Sequence, residues 1–303
     1  MTAQSVARLL PSLAQLQTRV ALMSGGEPLL NPEWAQIAAL LKNGGLKLWL
    51  LTSGLSLAKH ARRAAQFFEA ITVSLDGTDA ATYAAIRGLN AFDTVCEGIR
   101  AVAATGVPVG VRVTVQRANY RQFPDFIELA RRLGAHQVSF VAVDVANPHA
   151  FGRLDKFDGD LALTEEDLPV LERILAGLER DFAADFRCGF IAEKPQKLWR
   201  IHQYFAAVRG SAPYPAVRCN APEFSAVISA THQVNPCFFI RGPGNVRLNE
   251  DLGSVLNDGP MSAQRQSIRS GGRPECTTCV CALWRDPARR KVSDFLPDRR
   301  ANA

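Results

Sequence analysis

The chain has 303 residues, is 47% hydrophobic and 21% charged, and carries a formal net charge of +6. That composition buries one large core or two smaller ones and excludes wholesale disorder. There is no apolar run of the roughly 18 residues a membrane span needs, and no basic start followed by an apolar stretch as in a signal peptide, so the cytoplasm is the expected compartment and no membrane partner is expected.

Residues 3–17 place Val6, Leu9, Leu10, Leu13 and Leu16 on one helical face, with Pro11 expected to kink or restart the helix. A short apolar run at 20–23 ends in Ser24, Gly25, Gly26 and Glu27, and a helix follows with Trp34, Ile37, Ala38 and Leu41 on one side, stopped by Gly44 and Gly45. The unit then repeats. Strands are expected at 46–51, 71–75, 109–115 and 138–143, and helices at 57–68, 91–104 and 123–133. Alternation at this spacing predicts parallel βα units, with strands covered on both faces. Gly25, Gly26 and Glu27, then Ser53 and Gly54, then Asp76 and Gly77 all follow strand C-termini, the face where βα loops converge. An open doubly wound sheet is the alternative, but no G-x-G-x-x-G follows the first strand, which gives little support to a dinucleotide site.

Residues 151–162 read as a polar linker. A helix is expected after Thr164, with Glu165, Glu166 and Asp167 suiting its positive end, running to about Phe182. From Phe186 onward Pro, Gly, aperiodic aromatics and cysteines take over. The expected division is therefore 1–150, then 151–185 as linker and helix, then 186–303 as a second body.

Five of the seven cysteines fall late in the chain: Cys219 and Cys237 separated by 17 residues, then 38 residues, then Cys276, Cys279 and Cys281. A C-x-x-C turn with two distant cysteines completes a four-thiolate set, which suits zinc and a [4Fe–4S] cubane equally from spacing alone. Cys281 lies too close to Cys279 for both to reach one centre easily and reads as a spare or alternative ligand. Cys96, in line with Phe92 and Ile99, reads as core, and Cys188 as structural.

Jointly, these motifs resemble the radical S-adenosylmethionine (SAM) superfamily over roughly residues 1–145. Residues 19–32 resemble that family's second strand and its Gly-Gly-Glu-Pro loop. Thr52, Ser53 and Gly54 resemble the polar loop after strand three. Val73 to Gly77, with Tyr83, Arg87 and Gly88, resemble strand four and its helix, and Val113 to Asn119 resemble strand five and its turn. The resemblance implies a (β/α) barrel of radical SAM type. It also implies a SAM site in which Gly25, Gly26 and Glu27 hold the methionyl amino group, Ser74 and Asp76 face the ribose or carboxylate end, and Ser53 and Arg112 are further contacts. The cysteine-rich end resembles the twitch and SPASM auxiliary-cluster subdomains, closest to the single-cluster twitch type. That implies one [4Fe–4S] cluster on Cys219, Cys237, Cys276 and Cys279.

The sequence departs from the family pattern in one respect. The family's C-x3-C-x2-C loop follows the first barrel strand, whereas here no cysteine precedes Cys96. The expectation is a partial barrel lacking its first strand. It is explained either by a gene start set too late or by a true remnant. The chain as written is then expected not to cleave SAM, although its full-length form would abstract hydrogen through a 5′-deoxyadenosyl radical. Oxidoreductase or maturase chemistry on a peptide or small molecule, with an electron donor such as flavodoxin or ferredoxin, is what the resemblance implies. The alternatives are a non-catalytic iron–sulfur or zinc-binding module and a zinc-ribbon nucleic-acid binder. The last is weak: the basic residues are scattered except for Arg285, Arg289, Arg290, Lys291, Arg299 and Arg300, and no aromatic-interleaved basic stripe occurs.

Overall fold

The fold is described from a computed structural model, covering residues 1–147, 161–246 and 251–286. The polar stretch expected as a linker at 151–162 and the basic residues from Arg289 onward lie almost wholly outside the described residues.

Five strands, β1 (Val20–Met23), β2 (Lys47–Thr52), β3 (Phe68–Ser74), β4 (Val109–Val115) and β5 (Gln137–Ala142), pair in that order and all in parallel. Helices α1 (Ala3–Gln15), α2 (Trp34–Asn43), α3 (Leu57–Ala64), α4 (Ala80–Arg87), α5 (Phe92–Ala103) and α6 (Phe123–Arg132) fill the intervals. This is the α/β partial barrel that the alternation predicts. Local chemistry fixes the ends. Asp79 caps α4 by accepting from the Thr82 amide at 2.8 Å, and Gly88 closes it in the left-handed region.

Three local expectations are corrected. Helix α1 continues through Pro11 rather than restarting there, because Pro11 and the residue whose carbonyl loses its donor, Ala7, both sit on the exposed face, where that oxygen is open to solvent. Helix α3 stops at Ala64 rather than 68, because Phe68 is drawn into β3 as a buried strand residue beside Leu48. The strands are not apolar on both faces. In β4, Val109, Val111, Val113 and Val115 are buried against the helices while Gly110, Arg112 and Thr114 are half-buried on the inner face. That inner face is polar because it lines the mouth of an incompletely closed barrel rather than a second helical layer.

The sheet's core extends beyond β5. Ile191 forms a parallel bridge to Val138, and α9 (Pro195–Val208) buries Leu198, Ile201, Tyr204 and Phe205 in the same core, beside α7 (Leu168–Asp181). Between them lies the short α8 (Ala183–Cys188).

A second body follows. Antiparallel β6 (Val227–Ile228), β7 (Gln233–Asn235) and β8 (Gly244–Asn245) pack with α10 (Leu252–Asn257) and α11 (Gly259–Arg269), and the short α12 (Pro274–Thr277) leads into the last cysteines. Val234, Val246, Leu252, Val255 and Met261 form its core, and Leu9 of α1 is part of it. The Ser12 hydroxyl donates to Asp251 at 2.5 Å and accepts from the Leu252 amide, so α1 joins the two bodies. On the other side, the Asn147 amide donates to the Phe239 carbonyl. The second body thus reaches from the β1 side of the sheet to its β5 side. No helix among the described residues is long and apolar enough to cross a membrane.

Candidate functional site

The loop after β1 is built for close approach. Gly25 has φ +125°, a conformation that side-chain-bearing residues rarely adopt, and a Cβ on either Gly25 or Gly26 would meet no atom within 4 Å. The loop's backbone therefore faces open space. Glu27 pins it. One carboxylate oxygen accepts from the Thr52 hydroxyl at 2.7 Å and the Leu29 amide at 3.1 Å; the other accepts from the Ser53 amide and hydroxyl, both at 2.6 Å. Glu27 thus locks the β1 loop to the end of β2, and the outward-facing acceptors of the loop are its backbone carbonyls.

Asp76 is buried and equally engaged. It accepts from the Thr114 amide at 2.7 Å and pairs with Arg87 at 2.7 Å, while Asn119 donates to the Asp76 and Thr114 carbonyls. Burial raises its carboxyl pKa, opposed by the Arg87 charge and the Thr114 hydrogen bond. Gly77 is required here, since a Cβ would lie 2.4 Å from the Tyr83 nitrogen. Ser74, Arg112 and Ser139 are register partners across β3, β4 and β5, and the Arg112 guanidinium donates to the Ser139 hydroxyl at 2.6 Å.

Glu193 is a residue that the sequence reading missed. Its buried carboxylate accepts from the Phe140 amide at 2.9 Å and lies 3.7 Å from the Lys197 ammonium. Burial raises its pKa, opposed by Lys197, the Phe140 hydrogen bond and Arg112. No local signal marks it, because its partner strand lies some fifty residues earlier.

In the second body, Cys237, Cys276 and Cys279 pack around Phe239, Ile240 and Ile268. Burial raises the Cys237 and Cys279 thiols and pushes Cys276 up to about 11, and each of the three also feels the charge of Cys219. Cys281 is the exposed member of the set. Desolvation of its sulfur raises the thiol pKa against the pull of Arg112 and Lys197. Cys96 is buried on α5, as expected of a core residue, and Cys188 ends α8, its thiol donating to the Asp185 carbonyl.

Among the described residues, no three Cys, His, Asp or Glu side chains converge closely enough for a single metal ion. Four thiolates are the ligand set that both a tetrahedral zinc and a [4Fe–4S] cubane take. A three-cysteine loop for a SAM-chelating cluster is not among these 303 residues, whose first cysteine is Cys96.

The sequence profile of the Radical SAM superfamily matches residues 1–130. An AdoMet-dependent heme synthase of Methanosarcina barkeri is 29% identical over 138 residues, 45% of this chain and 40% of that protein. A probable GTP 3′,8-cyclase of Saccharolobus islandicus is 33% identical over 148 residues, 48% of this chain and 47% of that protein. The chain thus matches less than half the length of these relatives. Among solved structures, Streptococcus suis SuiB bound to its precursor peptide SuiA superposes with TM-score 0.63 at 14% identity, covering 93% of this chain and 64% of that one. Native anSMEcpe with bound AdoMet superposes with TM-score 0.59 at 15% identity, covering 86% of this chain and 72% of that one. At these identities the likeness shows the fold. The cysteine-rich body lies outside the 1–130 match, but the superposition on SuiB extends over it.

Proposed function

We propose that this chain binds SAM at the mouth of its radical SAM domain and one auxiliary [4Fe–4S] cluster in its cysteine-rich body, and belongs to a system that modifies a peptide or small molecule by hydrogen abstraction. The observation that carries the reading is the Gly25–Gly26 backbone, open to solvent and fixed by Glu27, standing on the same end of the sheet as Ser53, Ser74, Asp76 and Arg112. Its carbonyls suit the SAM ammonium. Glu27 acts by holding them in place rather than by offering a free oxygen. Asp76 acts in the same way, fixing the ends of β3 and β4 so that the Ser74 hydroxyl and the Arg112 guanidinium share one row.

Cys219, Cys237, Cys276 and Cys279 would hold the cluster, with Cys281 as spare or alternative ligand. The raised thiol pKa values of Cys237, Cys276 and Cys279 mean that cluster binding releases protons. When bound, such a cluster supplies one-electron transfer. SAM cleavage needs an iron with an open coordination position beside the methionyl end, and these residues supply no loop for it, so we propose that the chain as it stands binds SAM without cleaving it. The heme synthase and GTP cyclase act on small molecules, whereas SuiB is seen with a peptide. Both substrate classes stay within the proposal, with a ferredoxin- or flavodoxin-type donor. A non-catalytic cluster-binding module is the second reading.

The test is calorimetric titration of SAM into the anaerobically reconstituted chain, with 5′-deoxyadenosine assayed under dithionite. Saturable SAM binding without 5′-deoxyadenosine is expected. No binding would favour the second reading, and turnover would refute the claim of inactivity.

A further inference from the structure

A cavity of about 470 Å³ opens between the C-terminal half of β5, the first turns of α9 and the segment 279–284. Lys194, Lys197, Arg200 and Arg218 line it, and Glu193 is the one carboxylate among its lining residues. Glu193 is already engaged with the Phe140 amide and with Lys197. The cations are left with donors to spare. Arg200 uses one nitrogen to hold the Ala216 carbonyl at 2.8 Å. The Arg218 guanidinium lies 3.8 Å from the ring centre of Trp284, and a guanidinium stacked on an aromatic face keeps its in-plane N–H groups available. Lys194 is the N-cap residue of α9 and exposed, so its ammonium is free to swing toward the opening.

Four cations gathered around one cavity repel one another, and the N-terminus of the 14-residue α9 adds a partial positive charge of its own. Such an arrangement is favourable once an anion enters it. The volume is that of a site for a small organic molecule, and Tyr204 and Trp284 give it apolar walls. Its place in the fold is equally specific. Cys279, Val280 and Ala282 form one side, next to the expected cluster, while Arg112 of the inner-face row is close enough to act on Glu193.

We propose that this cavity binds a multiply charged small anion, one carrying phosphate or clustered carboxylate oxygens on an organic body, and that this group anchors the substrate between the cluster and the sheet's inner face. The proposal rests on the functional reading above for the word substrate, but not for the anion site itself.

The experiment is calorimetric titration of the anaerobically reconstituted full chain, at low salt, with inorganic pyrophosphate, with tricarballylate and with a tetraglutamate peptide, the cluster's visible absorbance being followed throughout. Saturable binding of pyrophosphate or tricarballylate is expected, and the tighter of the two identifies the oxygen chemistry. Lys194→Gln and Arg218→Gln should each weaken it about tenfold, as loss of one charge-assisted contact does, while Arg218→Lys should retain most of it and the α3 variant Arg62→Gln should leave it unchanged. Absence of saturation by both small anions, binding of the peptide alone, or undiminished binding in the Lys194→Gln/Arg218→Gln double variant would each overturn the proposal. Because the readout is heat of anion binding, a chain that binds these anions but not SAM sinks the SAM reading alone, and one that binds SAM but not the anions sinks this inference alone.

Discussion

At the mouth of the sheet, the oxygens of Glu27 and Asp76 are all committed to protein donors, whereas the cysteine-rich body gathers five thiols, of which burial raises the pKa of Cys237, Cys276 and Cys279. The first region is shaped before any ligand arrives. Its carboxylates tie loop to loop, and the groups left facing outward are backbone carbonyls, one serine row and Arg112. The second region has small apolar cores, and under the proposed reading a cluster would hold its cysteine segment together. A site that places a cofactor by backbone needs rigid loops. A site that ligates iron directly can couple its own folding to the metal.

That contrast can be broken most sharply at the cysteines. Anaerobic reconstitution should load about four iron per chain, the cubane count, and raise the thermal midpoint, while Cys276→Ser/Cys279→Ser should abolish both effects. Stoichiometric zinc without sulfide would reverse the assignment.

At the sheet's mouth, Glu27→Ala should destabilise the chain by about 3 kcal/mol whether or not iron is present, because it leaves the Thr52, Ser53 and Leu29 donors without their acceptor. Urea unfolding of the loaded and unloaded chain checks this. A loss seen only in the loaded protein would mean that the two regions are not independent.

A smaller effect concerns Asp76. Burial raises its folded pKa, so the native state keeps the proton over a range of pH in which the unfolded chain has released it. Stability therefore falls as pH rises from the ordinary aspartate value through the raised one. Asp76→Asn should remove that fall, read as the difference between the two proteins' unfolding curves across pH. An identical pH slope in both would show that the Arg87 pair fully offsets burial.

The smallest effect is expected at Asp79, whose pKa is lowered chiefly by the hydrogen bond from the Thr82 amide. Asp79→Ala should cost about 1 kcal/mol, the usual value of a helix N-cap. The stabilisation is present above the ordinary aspartate pKa and is lost as pH falls through the lowered one, the opposite sign to Asp76.

The sequence by itself determined the βα alternation, the parallel sheet and the loops that matter. Helix period, strand runs and glycine stops are local signals, each carried within a dozen residues. The same locality explains why Gly25, Gly26, Asp76 and Gly77 could be picked out as the ends of strands. The tertiary structure decided what those residues touch. That Glu27 turns inward to Ser53, that Asp76 meets Arg87 and Thr114, and that the inner strand face is polar all follow from register between strands, which no single segment encodes. The docking of α1 on α10 through Ser12 and Asp251, and the cavity that brings Lys194, Lys197, Arg200 and Arg218 beside Cys279, join residues far apart in the chain. Only the packing of helix and sheet fixes such contacts, because they arise from the shape of a shared core and leave no periodic mark on the sequence.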